Sequence, residues 1–108
     1  MVTLKYDISI SLDALQENLV RIINQVYKLL PMREEGSDWE KPLNTIMEEL
    51  KGMDRLLIDQ HKVFFSLLCK LEGLFELTEQ ASFDRYRSTI FECLSLLNTI
   101  KDNVKEYE

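Results

Sequence analysis

"FDRYRSTIFECLSLLNTIKDNVKEY", residues 83–107, carries the most regular pattern in this 108-residue chain. Apolar side chains recur along it at alternating steps of three and four residues. They are Phe83, Tyr86, Ile90, Cys93, Leu97, Ile100, Val104 and Tyr107. Because an α-helix has about 3.6 residues per turn, this spacing places all of them on one face. The pattern predicts a helix over residues 82–107, with Ser82 as its N-cap, that packs against other helices.

A second segment, residues 11–30, has the same spacing. Ser11 is a suitable N-cap, and the apolar positions that follow are Leu12, Leu15, Leu19, Ile22, Val26 and Leu29. Pro31 is expected to end this helix, because proline has no N–H and restricts the residue before it. Residues 31–37 are then a connector.

The third segment is the longest. Ser37-Asp38-Trp39-Glu40 has the S-x-x-E form of a capping box, and an apolar stripe continues from Trp39 to Phe75 without a change of phase. We predict one helix over residues 38–78, about 60 Å long. A kink near Asp59–His61, which gives four helices instead of three, is the main alternative.

These segments predict an all-α protein: an antiparallel three-helix bundle whose long central helix is possibly kinked into a four-helix arrangement. Residues 1–10 differ, because Val2, Leu4, Tyr6, Ile8 and Ile10 alternate with polar residues as in a β-strand. Three interpretations stay open: an extended arm on its own bundle, a strand that pairs with another copy or another protein, or an early start of the first helix.

Composition favours one soluble globular domain, with 45% hydrophobic and 30% charged residues. The net charge of −6 argues against binding to nucleic acid or anionic lipid. The N-terminus has no signal-peptide pattern, and no apolar run reaches the roughly 18 residues of a membrane span. Cys69 and Cys93 are therefore expected to be reduced, as small core residues of a cytoplasmic protein.

No motif of catalysis, metal binding or cofactor binding emerges. The sole histidine, His61, falls on the apolar stripe of the third segment and is expected to be a hydrogen-bonded core or boundary residue. One histidine and two distant cysteines do not form a recognisable zinc site. The three glycines are isolated, so no phosphate-binding loop is expected. We expect a protein that is not an enzyme and has no cofactor.

The alternative is a metal-dependent nucleotide pyrophosphohydrolase of all-α type. Enzymes of the MazG type bind Mg²⁺ through E-E-x-x-E followed by E-x-x-D. Glu48-Glu49 resembles the start of the first motif, but Gly52 stands where the third acid belongs. The segment 76–79, Glu-Leu-Thr-Glu, resembles the second motif loosely.

The connector between the first two helices is the candidate binding region. Trp39 either closes the end of the core or, with Met32, forms an apolar anchor inside an acidic rim. The segment 34–49 has six acids and one lysine, a net charge of −5. Together with the arm, these features give a set of candidate partner-binding residues. They are Tyr6, Met32, Glu34, Glu35, Asp38, Trp39 and Glu40.

We therefore expect a small cytoplasmic protein-protein interaction or assembly protein, for example an acidic inhibitor of a basic target. Three helices of unequal length leave an apolar flank uncovered, and this predicts a homodimer.

Overall fold

The computed structural model describes residues 12–57 and 60–105, and most of these residues are helical. The helices are α1 (Leu12–Glu34), α2 (Glu40–Leu56), α3 (His61–Gly73) and α4 (Phe83–Lys105). Single 3₁₀ turns cover Leu74–Glu76 and Gln80–Ser82. The described ranges hold no β-sheet, so the all-α fold class is confirmed. The predicted arm, and with it Tyr6, lies outside these ranges.

The prediction of one continuous helix over residues 38–78 is wrong, and the alternative with four helices is confirmed. The break comes between Leu56 and His61, where the alternative had placed a kink. A helix of 41 residues would be about 60 Å long, whereas the longest axis of the protein measures 46 Å. The two halves of the predicted helix therefore do not lie end to end.

Instead, α2 and α3 form an antiparallel hairpin. Asp54 near the end of α2 contacts His61 at the start of α3, with Oδ1 and Nδ1 2.9 Å apart. At the other end, the rings of Trp39 and Phe75 stack with their centroids 6.2 Å apart. Only a reversal of direction brings both pairs together.

The remaining neighbours are also antiparallel. Arg21 of α1 pairs with Glu49 of α2 at 2.7 Å, and Lys70 of α3 pairs with Glu92 of α4 at 3.0 Å. α4 packs against α1 as well, so each helix has two neighbours in the order α1–α2–α3–α4–α1. The described chain is an up-down-up-down four-helix bundle with one central core.

The apolar stripes predicted for the first and last helices form that core. The buried side chains of α1 and α4 include Leu19, Ile22, Val26, Leu29, Tyr86, Ile90, Cys93, Leu97, Ile100 and Val104. In α3, Leu67 and Leu74 are fully buried together with Phe64 and Leu71, whereas Leu68 and Phe75 lie at the core boundary. Since the break separates α3 from α2, α3 can turn this stripe towards the core independently of α2.

Pro31 does not end the first helix as predicted, because α1 continues through it to Glu34. A proline inside a helix removes one hydrogen bond, here the bond to the carbonyl of Tyr27. Both Pro31 and Tyr27 are exposed, so water can reach that carbonyl. On either side of Pro31 the helix is packed, with Leu29 fully buried and Arg33 in contact with Tyr86.

α1 ends in a Schellman motif. Gly36 has φ +77°, its N–H donates to the Arg33 carbonyl at 3.1 Å, and the Ser37 N–H donates to the Met32 carbonyl at 2.9 Å. This left-handed conformation costs glycine little and any L-residue considerably more. Gly36 therefore sets the end of α1.

Aspartate rather than serine caps α2. Asp38 Oδ1 accepts the N–H groups of Glu40 at 3.2 Å and of Lys41 at 3.3 Å, as an N-cap side chain does. The predicted N-cap of the last helix also moves, because Ser82 lies inside the 3₁₀ turn that leads into α4. That turn begins after Glu79, whose carbonyl accepts the Ser82 N–H at 2.9 Å.

Two single-residue predictions need correction. His61 is exposed and is held by Asp54, so it is not a core residue. Cys69 is exposed, whereas Cys93 is buried as predicted. Burial raises the pKa of the Cys93 thiol to about 12, so this side chain stays protonated and inert at neutral pH.

Candidate functional site

The connection between α1 and α2 and the connection between α3 and α4 lie side by side at one end of the bundle. Arg33, near the end of α1, donates a hydrogen bond from Nη2 to the carbonyl oxygen of Glu79 at 2.7 Å. Glu79 belongs to the connection between α3 and α4. The antiparallel arrangement brings the end of α1, the start of α2, the end of α3 and the start of α4 to this one end.

An aromatic cluster surrounds the guanidinium group of Arg33. Its Cζ lies 4.3 Å from the ring centroid of Tyr86, 5.4 Å from that of Phe83 and 6.0 Å from that of Trp39. Trp39 meets Tyr86 edge to face, with centroids 5.0 Å apart. We call Arg33, Trp39, Phe83 and Tyr86 the Arg33 cluster. Cation–π contacts of this kind gain strength when the cation is withdrawn from water.

Two polar atoms of the cluster are buried without a hydrogen-bond partner among the described residues: Nη1 of Arg33 and the hydroxyl of Tyr86. Burial raises the pKa of Tyr86 well above its usual value, and the positive charge of Arg33 opposes this only in part. The phenol is therefore neutral throughout the physiological pH range. The cluster is a structural element rather than an acid or a base.

Carboxylates ring this end of the bundle. We call them the acidic end, and all of them are exposed: Glu34, Glu35, Asp38, Glu40, Glu76, Glu79 and Asp84. Three basic residues accompany them, Arg33 in its cluster and the exposed Lys41 and Arg85, so seven acids against three bases give a net charge of −4.

The charges of the acidic end are largely unneutralised. Apart from Asp38, which caps α2, none of these carboxylates has an ion pair or a side-chain hydrogen bond within the described ranges. Acids elsewhere on α2 differ, since Glu48 pairs with Lys51 at 3.4 Å and Glu49 pairs with Arg21. The unpaired acids are thus concentrated at one end.

The predicted site residues that the structure describes all lie at or beside the acidic end. Trp39 is buried, with 8% of its surface exposed, so the indole closes the core and is not part of the free surface. Met32 is half-buried against the core. It lines a notch of about 210 Å³ between α1 and α2, together with Pro42 and Thr45.

Sequence reasoning missed the contribution of the second connection. Glu76, Glu79 and Asp84 join the acidic end only because α3 folds back along α2. A groove of about 540 Å³ between α3 and α4 opens beside them, with Glu76, Leu77 and Arg85 among its lining residues. Glu76 and Glu79 were recognised as acidic residues in the sequence. The predicted continuous helix, however, would have placed them far from Glu34.

The residues of the hydrolase alternative do not meet. Glu48 and Glu49 lie on the middle of α2 in the ion pairs described above, whereas Glu76 and Glu79 lie at the end of the bundle. Within residues 12–57 and 60–105, no three His, Cys, Asp or Glu side chains are close enough together to hold a metal ion.

Comparison of the chain with protein-family models, with curated proteins and with solved structures found no match. In the part of the chain that the structure describes, no helix combines the length and the apolar character needed to cross a membrane.

Proposed function

We propose that this protein is a non-enzymatic protein-binding protein whose acidic end docks a basic segment of another protein. The observation that carries the proposal is the convergence of acids from both connections around a half-buried apolar floor. Without a partner, these carboxylates repel one another, so a basic segment would relieve that repulsion.

The floor is formed by Phe75, Leu77 and Phe83, which are half-buried and lie among the acids. Two contacts support this floor from the core: Trp39 stacks on Phe75, and the guanidinium group of Arg33 lies over the ring of Phe83. An apolar centre within a charged rim is the usual organisation of a protein–protein interface. The rim would supply orientation and association rate, and the floor would supply contact area.

The chemistry of this surface determines the class of partner. A net negative end repels phosphate backbones and anionic lipid, so we expect neither nucleic acid nor a membrane as the direct ligand. A basic protein surface fits, which makes an adaptor, an assembly factor or an inhibitor of a basic target the expected roles in the cytoplasm. The homodimer remains a prediction. It was based on the apolar flank that three unequal helices would leave uncovered, whereas the described chain has four helices around its core.

A charge-reversal experiment tests the proposal. A fluorescein-labelled synthetic dodecapeptide of lysine, alanine and leucine serves as the probe, and anisotropy reports its binding. Glu34→Lys combined with Glu79→Lys should weaken binding about tenfold at low salt, which corresponds to about 1.4 kcal/mol. The difference should shrink at high salt, because salt screens exposed charges.

Glu17→Lys combined with Asp102→Lys is the matched control. Both residues are exposed and lie towards the opposite end of the bundle, on α1 and α4, so this pair changes the net charge equally. It should weaken binding by no more than about twofold. If both double variants lost affinity equally, peptide binding would depend only on the total charge of the protein, and the proposal would fail.

A further inference from the structure

The groove between α3 and α4 is continuous with the acidic end but differs from it in chemistry. Its volume is about 540 Å³, which lies within the usual range for sites that bind a ligand of small-molecule size. Leu77 lines the groove and also belongs to the apolar floor of the acidic end. A segment that lies on the floor can therefore continue into the groove.

Two pairs of opposite charges line the walls of the groove at two levels. At the inner level, Lys70 Nζ lies 3.0 Å from Glu92 Oε2, so these two charges neutralise each other. From this pair, six residues forward along the chain lead to Glu76 and seven residues back lead to Arg85. Because α3 and α4 are antiparallel, both steps lead towards the acidic end, and Glu76 and Arg85 reach the same outer level. No ion pair among the described residues joins them.

Arg85 is thus a free cation beside a surface that is otherwise acidic. It is exposed, and within the described ranges its guanidinium group has neither an ion pair nor a hydrogen bond. Ser88 follows about one turn later on α4 and also lines the groove, and its hydroxyl has no partner in that part of the chain either. A guanidinium group binds a carboxylate through two parallel N–H···O bonds, and a hydroxyl can add a third donor.

Gly73 leaves room between these groups. It lines the groove in the last turn of α3, and a Cβ added to it would meet no other atom within 4 Å. Glycine inside a helix costs about 1 kcal/mol relative to alanine, and no close contact requires it here. The missing side chain keeps this wall of the groove open.

The charges around Arg85 determine the kind of anion that fits. Glu76 lies across the groove, and Asp84 precedes Arg85 in the chain. These acids would repel a phosphate group, which has about two negative charges, whereas Arg85 balances the single charge of a carboxylate. A cation beside that carboxylate would in turn pair with Glu76. A peptide that ends in lysine or arginine has both groups.

We infer that the groove holds the C-terminal carboxylate of the docked segment, bound by Arg85 and Ser88, while the side chain of a terminal lysine or arginine pairs with Glu76. The inference rests on the proposed function and narrows the partner to a protein with a basic C-terminal tail. The preceding residues of the tail lie over Leu77 and continue onto the acidic end. Recognition of a chain terminus in this way is a recurring mode of peptide binding.

Two forms of one peptide test the inference. The labelled dodecapeptide of lysine, alanine and leucine carries fluorescein on its N-terminus, ends in lysine, and is prepared as the free acid and as the C-terminal amide. The amide has one more net positive charge, so attraction to the acidic end alone would favour the amide. We expect the opposite order: anisotropy should show that the free acid binds about fivefold more tightly. A large excess of free lysine should not displace it.

Arg85→Gln should abolish the preference for the free acid. Arg87→Gln is the matched control, because Arg87 is also exposed on α4 but lies outside the groove, and its loss changes the net charge equally. This control should keep the preference. The inference is overturned if the amide binds as tightly as the free acid, if Arg87→Gln also removes the preference, or if lysine displaces the peptide, which would favour a free amino acid as the ligand.

Glu34→Lys combined with Glu79→Lys separates this inference from the proposed function. If that double variant weakened both peptide forms more than its control did, but the two forms bound equally to the parent, the inference would fail and the proposed function would stand. If the double variant and its control weakened binding equally, the proposed function would fail, and the inference would fail with it.

Discussion

The guanidinium group of Arg33 lies 4.3 Å from the ring centre of Tyr86, so the end of α1 is fastened to the start of α4. The same side chain donates to the Glu79 carbonyl at 2.7 Å and thereby holds the connection between α3 and α4. One residue thus joins three parts of the chain beneath the acidic end.

Replacing Arg33 with Met should lower the free energy of unfolding by about 1–3 kcal/mol. The substitution keeps an apolar stem but removes the hydrogen bond to Glu79 and the cation–π contact with Tyr86. Thermal denaturation followed by circular dichroism measures the change. Arg87→Met, at an exposed position of α4, should stay within about 0.5 kcal/mol of the parent. Similar losses in both variants would contradict the role of Arg33.

The same substitution at two glycines should have opposite effects. Gly36→Ala forces an alanine into φ +77° and should destabilise the protein by about 1 kcal/mol. Gly52→Ala, on the exposed surface of α2, should stabilise it by about 0.5–1 kcal/mol, because the added Cβ meets no other atom within 4 Å. Chemical denaturation measures the change in the free energy of unfolding for each variant. If both changes had the same sign, α1 would not end in a Schellman motif at Gly36.

Tyr86→Phe should stabilise the protein, and more so at alkaline pH. At neutral pH it removes a buried hydroxyl without a described partner, a gain of about 1 kcal/mol. Burial raises the pKa of Tyr86 above its ordinary value of 10.0. Above pH 10 the unfolded chain therefore loses this proton while the folded chain keeps it, and stability falls by up to about 1.4 kcal/mol per pH unit. The variant lacks that contribution, so urea midpoints of the two proteins should diverge above pH 10, and parallel curves would contradict the burial of the phenol.

Trp39 should be shielded from solutes in the free protein. It is the sole tryptophan, and only 8% of its surface is exposed. Acrylamide should quench its fluorescence several-fold less than that of free N-acetyltryptophanamide, and unfolding in urea should remove the difference. Quenching at the same rate as for free N-acetyltryptophanamide would contradict the burial of Trp39 and favour the interpretation of Trp39 as an exposed anchor.

Asn103→Ala should destabilise the protein by about 1–2 kcal/mol. Asn103 Nδ2 donates to Oε1 of Gln60 at 3.0 Å, which fastens the start of α3 to the end of α4. The substitution removes this hydrogen bond to a buried side chain. Asn44→Ala on the exposed side of α2 is the comparison, with an expected change below about 0.5 kcal/mol. The idea fails if the melting temperatures of these two variants coincide.

The sequence predicted the helical class and the core stripes of α1 and α4 because periodic apolar spacing dominates both segments. Leu19, Ile22, Ile90 and Leu97 are all fully buried, as their spacing indicated. Periodicity describes a helix locally, however, and the stripe from Trp39 to Phe75 continued across the position where the chain reverses. Neither glycine nor proline marks that reversal, so the break could be stated only as an alternative.

The candidate site was half predictable for the same reason. Glu34, Glu35 and Glu40 are close in sequence, and local charge density identified them. Glu76 and Asp84 join them through tertiary structure, which periodicity did not determine once the hairpin was missed. Arg33 was not predicted as a site residue, because a single basic residue near the end of a helix is common. Its special role comes from the tertiary structure, which brings three aromatic rings into contact with it.

The even number of alternating helices has a practical consequence. α1 begins and α4 ends at the same end of the bundle, opposite the ring of carboxylates. A biotin, a fluorophore or a sensor surface attached to an exposed residue in the first turns of α1 or the last turns of α4 would therefore leave the carboxylates facing open solution, without hiding the part proposed to bind.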